Sequence, residues 1–465
     1  MNFQKEIHEY IISKKDEMIK TLSELVSIRS IKESPKPGMP FGEMPAKALE
    51  KALSICGDAG FITENTYNYV GSADLNTLEP ELAVLCHLDV VPEGSGWNTD
   101  PYTLTEKGGR LYGRGAIDNK GPATAAIYAM KAIKELNIPV KKGVRLIFGT
   151  DEENGSSDLK YYMSVKKMPP MVFTPDGSYP VINIEKGMIR LNITAELAQD
   201  SCTRKIISIK GGEAVNAVAG YAEAELSGFT TDEISNGLNF PDKNIQVSVR
   251  KSGKNTIISV TGVCAHASTP QLGSNAITAL LKLLSELPIE STSQTSLINS
   301  LCTLYPYGET DGSSLGIKCS DEISGELTLV PGVIDFSEKK LDLKNDIRFP
   351  LSKTSSDIIC KVNEKLSGCG LDTEILIQDE PHCTDESSPF VQTLLKVYES
   401  VTGEKGFCLA IGGGTYVHNI PGGVAFGAEF LGEENNMHGA DESISIDNLL
   451  KTAEITACAI AELIK

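Results

Sequence analysis

Short apolar runs that end abruptly on polar side chains are the main pattern of the first 180 residues. Residues 82–86 (Leu-Ala-Val-Leu-Cys) are followed at once by His87, Leu88 and Asp89. An apolar run of this length predicts a buried strand of an α/β sheet. The runs at 143–149 and 171–174 end similarly, on Asp-Glu-Glu and Pro-Asp-Gly sequences. In open α/β sheets, sites form at the carboxyl ends of the strands, so we expect a site at this edge.

Helical spacing of apolar residues predicts helices around these strands, and the pattern then changes near Gly187. The predicted helices of the α/β region span residues 4–28, 46–56, 123–136, 390–401 and 446–463. After Gly187, apolar and polar residues alternate, as in Ile189, Leu191 and Ile193, which predicts half-exposed antiparallel strands. Helices are predicted between those strands at 212–225, 274–287 and 355–366.

This change of pattern predicts the domain organisation. A chain of 465 residues suggests two or three domains. We expect an α/β domain made of residues 1–186 and 384–465, interrupted by an inserted α+β domain at 187–383.

The charge and the cysteine content narrow the function classes. A formal net charge of -19 argues against nucleic acid or an anionic membrane as a partner. No apolar run approaches the roughly 18 residues of a membrane span, and the charged first 20 residues predict no signal peptide. Eleven cysteines without regular spacing predict reduced thiols and a cytoplasmic location.

Ligand-type side chains recur at the ends of the apolar runs and in two later loops. Two histidines and three carboxylates form this set, and it contains no thiolate: His87, Asp118, Glu153, Asp176 and His438. Such ligands suit two divalent ions, zinc first, with manganese or cobalt as alternatives. Two ions about 3.5–4 Å apart need a shared carboxylate and hold a water between them as nucleophile. Two simpler interpretations stay open, since Asp118 could cap a helix and residues 151–153 could form a solvated acidic turn.

Eight motifs carry a family resemblance and run from His87 to Glu442. In order they are HLDVVPEGSGW, GRGAIDNKGP, TDEENG, PDG, GGEAVNAV, GVCAHAS, GGGT and MHGADE. Together they resemble the dinuclear zinc peptidase family of aminoacylase, carboxypeptidase G and carnosinase-like enzymes. The resemblance is closest to the bacterial PepV-type dipeptidases, which are similar to Xaa-His dipeptidases. It implies an α/β catalytic domain, with a mixed sheet flanked by helices, and a large inserted α+β lid domain.

The resemblance also implies roles for the strand-end residues. Asp118 would bridge two metal ions, and His87 with Asp176 would complete the shell of one ion. Glu153 and His438 would complete the shell of the other. Glu152 would be the general base, and Asp89 would support the ring of His87.

In the insert, the resemblance implies a substrate-binding set. Asn216 and His266 would donate to the developing oxyanion, and Arg348 would bind the substrate carboxylate. Backbone N–H groups of the glycine loop would contact the same end of the substrate, through Gly413, Gly414 and Thr415. Simpler alternatives are that His266 is a structural histidine, that Arg348 forms a surface ion pair and that Asn216 caps a helix.

Three positions depart from the family pattern. Asn119 replaces a second acid, Ala219 replaces a proline, and Val417-His418 replaces Ala-Arg after the glycine loop. These departures concern local substrate contacts and leave the chemistry of the site in place. The insert is also about twice as long as a simple dimerising lid, which resembles the PepV-type arrangement in one chain.

The expected function is a dipeptidase that uses two metal ions to activate the attacking water. Its partner would be a small peptide substrate, and the chain would be a monomer or a weak oligomer. One alternative is an N-acyl amino acid deacylase of the desuccinylase or deacetylase type, with the same metals. The other is a non-catalytic peptide-binding module on the same fold.

Overall fold

The computed structural model describes residues 3–198, 201–235 and 240–465, and the chain divides into two compact units. The first unit comprises Met1–Ile184, Cys383–Leu409 and Gly414–Lys465. The second unit comprises Glu185–His382 and Ala410–Gly413.

A mixed sheet forms the centre of the first unit. Its parallel core pairs Pro80–His87 with Gly143–Gly149 on one side and with Met171–Thr174 on the other. Antiparallel strands extend the sheet at both ends. The strand order is Ile62–Thr66, Val70–Asp74, Gly143–Gly149, Pro80–His87, Met171–Thr174, Val424–Ala425, Val181–Glu185, His382–Cys383. The predicted α/β class with a mixed sheet is confirmed.

Both faces of the central strand are buried, as its unbroken apolar run predicted. Leu82, Val84 and Cys86 point into the large core that the main helices cover. The alternate residues Ala83 and Leu85 point into a smaller core on the opposite face. Side chains two apart share a face of a strand, which is why one run serves two cores.

Helices cover this sheet and bury their apolar stripes in the two cores. Their bounds are Gln4–Ser13, Lys15–Val26, Glu43–Asp58, Lys120–Glu135, Ser157–Val165, Pro389–Thr402 and Ile446–Leu463. The single helix predicted at 4–28 is wrong, because the helix is interrupted at Lys14. The apolar spacing continues on both sides of Lys14, so the pattern carried no sign of the break.

The second unit is built on an antiparallel sheet. Its helices are Thr231–Ser235, Ala276–Ser285, Thr292–Leu304 and Ser355–Ser367. The strand order is Gln246–Ser252, Asn255–Thr261, Tyr221–Ser227, Lys205–Gly211, Thr328–Ser337, Lys340–Phe349, Gly187–Glu196, Asp372–Asp379.

The helix predicted at 212–225 is wrong. The segment forms a loop followed by the strand Tyr221–Ser227, which lies between two other strands. Alanine favours helices, but Ala222, Ala224 and Leu226 are buried at every second position, which is the spacing of a strand. Here the alternating burial outweighed the intrinsic preference of the alanines.

Two small sheets lie in the segments that follow the strands Pro80–His87 and Met171–Thr174. Arg110–Tyr112 pairs with Ser443–Ser445, and Gly177–Ser178 pairs with Ala428–Glu429. These pairings bring residues near the end of the chain beside segments about 250 to 335 positions earlier.

Across the described ranges, we find no helix that combines the length and the apolar character needed to cross a membrane.

Candidate metal centre

The carboxyl ends of the parallel strands gather ligand-type side chains at one edge of the first unit's sheet. His87 is the last residue of its strand, and Glu152 begins a short 3-10 turn just after the next strand. Asp176 follows Met171–Thr174, and Asp118 immediately precedes the segment that enters the helix Lys120–Glu135. These strands are neighbours and parallel, so the sheet itself brings their ends together.

The carboxylate of Asp118 lies between the two histidines. Its Oδ1 is 2.8 Å from Nε2 of His87, and its Oδ2 is 2.7 Å from Nε2 of His438. Asp118 and His87 are buried, whereas His438 is half exposed. One carboxylate therefore presents a separate oxygen to each imidazole.

A further carboxylate accompanies each histidine. Oδ2 of Asp176 is 3.5 Å from Nε2 of His87, and Oε2 of Glu153 is 3.3 Å from Nε2 of His438. Ligand atoms of His87, Asp118 and Glu153 lie within 4.8 Å of one another. The same limit holds for His87, Asp176 and Glu152, so Glu152 also faces this centre.

The donor set fits divalent cations. Oε1 of Glu153 is buried and accepts no hydrogen bond from any residue that the structure describes. Burial opposes the charged ring of His87, but Asp176 and Asp118 outweigh it and raise the pKa of His87 well above its ordinary value. Burial raises the pKa of Glu153 to about 7 and that of Glu152 well above its ordinary value. Imidazole and carboxylate groups crowded this closely form a cradle that cations can enter as protons leave.

Asp89 holds the acidic turn as well as His87. Its carboxylate accepts the backbone N–H groups of Glu152 and Glu153, each at 3.2 Å. Nδ1 of His87 lies 3.0 Å from the backbone oxygen of Asp89 and 3.5 Å from its carboxylate. A carbonyl can only accept, so Nδ1 carries a proton, and Nε2 is the nitrogen that would bind a cation once its own proton, shared with Asp118, leaves.

Asn119, the departure from two successive acids, contacts two other strand ends. Its Nδ2 donates to Oδ1 of Asp176 and to the backbone oxygen of Pro175, both at 2.9 Å. Its Oδ1 accepts the backbone N–H of His87 at 3.3 Å. The sequence offered no role for this amide, and an acid could not donate the bond to Asp176 unless it were protonated.

The simpler interpretations of the acids are wrong. Asn119, not Asp118, is the N-cap residue of the helix, and it makes no side-chain cap hydrogen bond. Asp151 is buried rather than solvated, and its carboxylate accepts the Ser157 N–H at 3.3 Å and pairs with Lys32 Nζ at 2.7 Å.

Tyr416 and Asp158 support the end of the strand Gly143–Gly149 from the opposite face of the sheet. Neither residue was identified from the sequence. Asp158 accepts the backbone N–H groups of Thr150 and Asp151 at 2.6 and 2.9 Å, and it also accepts the hydroxyl of Tyr416. The ring of Tyr416 packs edge-on against His87, with 6.2 Å between the centroids. The motif around Tyr416 marked the loop, but nothing local in the sequence indicated a partner 258 positions away.

In the second unit, Asn216 and His266 lie on adjoining segments. The Ala267 N–H donates to the Asn216 carbonyl at 2.9 Å, and Ala217 forms a bridge with His266. The Ser268 N–H donates to Nδ1 of His266 at 3.2 Å. A neutral ring with Nδ1 as acceptor carries its proton on Nε2, which is the state of a hydrogen-bond donor. No helix begins at Asn216, so the capping interpretation is wrong.

Arg348 makes a buried ion pair instead of a surface one. Its Nε and Nη2 donate to the carboxylate of Asp346 at 2.6 and 3.1 Å, and Nη1 donates to the Gly412 carbonyl at 2.9 Å. The side chain of Arg348 is only 5% exposed. These contacts fix the plane of the guanidinium.

The glycine loop is divided between the units, with Gly413 in the second and Gly414 and Thr415 in the first. A side chain at Gly412 would come within 2.6 Å of Cβ of Ser268, so glycine is required there for packing. The Thr415 hydroxyl accepts the Val417 N–H at 3.3 Å and caps a short 3-10 turn.

Comparison with known proteins identifies the family and the fold of this chain. The model of the family described as Peptidase family M20/M25/M40 matches residues 83–462. The Bacillus subtilis (strain 168) protein named "Putative dipeptidase YtjP" is 35% identical over 474 residues, covering 100% of both chains. The Beta-Ala-Xaa dipeptidase of Lactobacillus delbrueckii subsp. lactis is 35% identical over 473 residues, covering 100% of this chain and 99% of that protein. The crystal structure of human carnosine dipeptidase 1 has the same fold, with a TM-score of 0.63, 17% identity and 99% of each chain covered.

Proposed function

Because the chain belongs to the peptidase family M20/M25/M40, we propose that it is a metal-dependent dipeptidase, a hydrolase that splits dipeptides into two amino acids. The observation that carries this proposal is the position of Asp118, whose two carboxylate oxygens each face a different histidine. Relatives of full length that are named dipeptidases support the same reaction class.

The metal ligands follow from the pairs of contacts. His87 and Asp176 would hold one cation, Glu153 and His438 the other, and Asp118 both. Zinc suits two imidazoles and three carboxylates, with manganese and cobalt as alternatives. Bound divalent cations polarise a substrate carbonyl and lower the pKa of water.

Glu152 is the proposed general base. It follows the strand end beside Glu153, and Asp89 fixes the backbone of both residues. A carboxylate of Glu152 would take the proton of the attacking water and pass it to the leaving amine. Burial raises the pKa of Glu152, and nearby cations would oppose that rise and favour the carboxylate form that can accept a proton.

The substrate-binding roles are also proposals. The protonated Nε2 of His266 and the amide of Asn216 are donors suited to a developing oxyanion. The planar guanidinium of Arg348 suits a substrate carboxylate. Gly413, Gly414 and Thr415 would add backbone N–H groups at the same end of the substrate.

Further proposals concern the setting of the enzyme. All eleven cysteines are free, which supports a reducing, cytoplasmic location. The dipeptidase relatives support a small peptide as the partner, and a formal net charge of -19 argues against nucleic acid or an anionic membrane. We propose a monomer or a weak oligomer with a complete site in each chain.

Metal analysis combined with a substrate panel tests the function. Purified protein is stripped with a chelator, reloaded with Zn²⁺, Mn²⁺ or Co²⁺, and assayed on β-Ala-Xaa and α-dipeptides beside N-acetyl and N-succinyl amino acids. We expect two metal ions per chain and dipeptide hydrolysis that disappears with the chelator and returns with metal. Hydrolysis of the acyl amino acids alone would make the enzyme a deacylase. Two bound metals with no turnover on any substrate would make it a binding module.

A further inference from the structure

A buried ion pair lies directly behind the proposed metal ligands. Nη1 of Arg114 donates to Oε2 of Glu442 at 2.5 Å, and both side chains are 1% exposed. The pair arises from the small sheet, because the pairing of Ser443 with Tyr112 places Glu442 beside the residues that follow Tyr112. The Gly113 N–H accordingly donates to the Glu442 carbonyl at 3.0 Å.

The free oxygen of Glu442 holds the backbone of the bridging residue. Oε1 accepts the N–H groups of Ile117 and Asp118 at 3.1 and 3.2 Å. These bonds fix the main chain from which the Asp118 carboxylate projects between the two histidines. A neutral side chain could accept them as well, but less strongly than a carboxylate does.

The guanidinium of Arg114 holds the opposite side of the centre. Its Nη2 lies 3.3 Å from the carbonyl of His438 and 3.3 Å from the carbonyls of Pro92 and Glu93. Its Cζ lies 5.3 Å from the centroid of the Trp97 ring. One planar cation thus joins the loop of His438 to the loop that follows Asp89.

We propose that Arg114 and Glu442 act as a positioning pair, which sets the separation of Asp118 and His438 and thereby the affinity of the centre for its cations. This inference rests on the proposed function. Neither residue contacts the proposed reacting atoms, and their opposite charges add no net charge beside the acidic centre. Outer partners of metal ligands typically change metal affinity about 10- to 100-fold when removed.

A set of variants separates positioning from simple stabilisation. Glu442→Gln and Arg114→Met each leave one buried charge without its partner, and both should lower thermal stability and metal affinity. The double variant Arg114→Met/Glu442→Gln removes both charges, so it should regain much of the stability. The amide of Glu442→Gln accepts the Asp118 N–H less strongly and the thioether of Arg114→Met cannot bind the His438 carbonyl, so its affinity should stay about 10- to 100-fold low. Arg114→Lys keeps the positive charge but not the planar guanidinium. Its metal affinity should lie between that of Arg114→Met and that of wild type.

The control is the pair Arg145 and Asp74, which is joined at 2.7 and 2.8 Å on the large mixed sheet of the same unit. Arg145→Met/Asp74→Asn should leave metal affinity unchanged. Trp97 is the single tryptophan of the chain, so its emission reports the loss of Arg114 from its ring and should not change in the control.

The measurements are titration of the metal-free protein with Zn²⁺ and with Co²⁺, whose absorption spectrum reports ligand geometry, together with kcat and KM at saturating metal. We expect a changed Co²⁺ spectrum, a lower kcat and a nearly constant KM in the double variant. A double variant with wild-type Zn²⁺ affinity and Co²⁺ spectrum overturns the positioning role while leaving the dipeptidase proposal intact. If wild-type protein binds no metal, the proposed function itself fails.

Discussion

Asn119 donates a hydrogen bond of 2.9 Å to the carboxylate of Asp176, joining the entrance of one helix to the end of a separate strand. The same amide accepts the backbone N–H of His87. Both partners are proposed ligands of one cation, so a residue outside the ligand set orients two of its members. Such contacts commonly decide how tightly a ligand set binds its metal.

Replacing Asn119 tests that relationship. Asn119→Ala removes both bonds and should lower the affinity for one of the two cations about 10- to 100-fold. Asn119→Asp keeps an acceptor for the His87 N–H but not a donor for Asp176. Its affinity for that cation should lie between the affinities of Asn119→Ala and wild type. Calorimetric titration of the metal-free protein measures both steps. If Asn119→Ala bound each of the two metal ions as tightly as wild type does, that result would contradict the orienting role.

Glu152→Gln should separate metal binding from catalysis. The amide keeps the size of the side chain but cannot take the proton of the water, so turnover should fall about 10²–10⁴-fold or more with both metals retained. The matched control is Glu81→Gln, which alters a half-exposed carboxylate near the start of the central strand. Wild-type turnover in Glu152→Gln, measured on a dipeptide with metal content checked, would exclude Glu152 as the base.

Asp118→Ala should lose both metals and activity together, since one carboxylate faces both histidines at 2.8 and 2.7 Å. Asp74→Asn, a change at a part-buried carboxylate bound by Arg145, controls for the general loss of an acid. Elemental analysis after gel filtration counts the metals. A Asp118→Ala protein that still carries two metals and hydrolyses dipeptides would remove Asp118 from the bridging role.

The strand ends were predictable because burial on both faces gives an unbroken apolar run, and polar residues immediately after it must lie at the sheet edge. His87, Glu153 and Asp176 could be placed in this way. The contact of Asp118 with His438 joins residues 320 positions apart, and only the family resemblance suggested it. The local sequence lacks this information, because the small sheet that returns His438 to the edge is held by pairs as short as Ser443–Ser445 with Arg110–Tyr112.

The second unit shows why other predictions failed. Ala222 and Ala224 have a high helix propensity, yet tertiary pairing on both sides made their segment a strand. The alternative that Arg348 forms a surface ion pair is also wrong, because nothing in the sequence revealed that Asp346, two positions away, would be fully buried beside it.

We predict that each chain carries a complete site. Mixing inactive Glu152→Ala with inactive His266→Ala protein under conditions that exchange subunits should restore no activity. Size-exclusion chromatography at the assay concentration establishes whether any oligomer is present to exchange. Restored hydrolysis in the mixture would show that His266 of one chain completes the site of another.

The final prediction concerns Arg348 and the length of the substrate. Its guanidinium is oriented by Asp346 and by the Gly412 carbonyl, and these contacts use three of its five N–H groups. The remaining N–H groups would bind the free carboxylate of a dipeptide. A clamp placed one residue beyond the scissile bond would admit dipeptides and reject longer C-terminal extensions.

Removing the clamp should therefore matter only for substrates that carry the carboxylate at that distance. A hydrogen-bonded charge contact of about 1.5–3 kcal/mol corresponds to roughly a 10- to 150-fold rise in KM for Xaa-Ala in Arg348→Ala. The Xaa-Ala amide and Xaa-Ala-Ala should be poor substrates of the wild type and change little in the variant. Asp346 keeps Arg190 as a partner at 3.0 Å when Arg348 is lost, which limits the damage to folding.

The ratio of kcat/KM for Xaa-Ala to that for its amide is the decisive measurement, because a general loss of folded protein lowers both values equally. We expect a high ratio in wild type and a ratio near one in Arg348→Ala. Arg190→Ala is the matched control, since it removes the other arginine bound to Asp346 and should leave the ratio high. If wild type hydrolyses the amide as well as the free acid, Arg348 does not bind the carboxylate and the limit to dipeptides must have another cause.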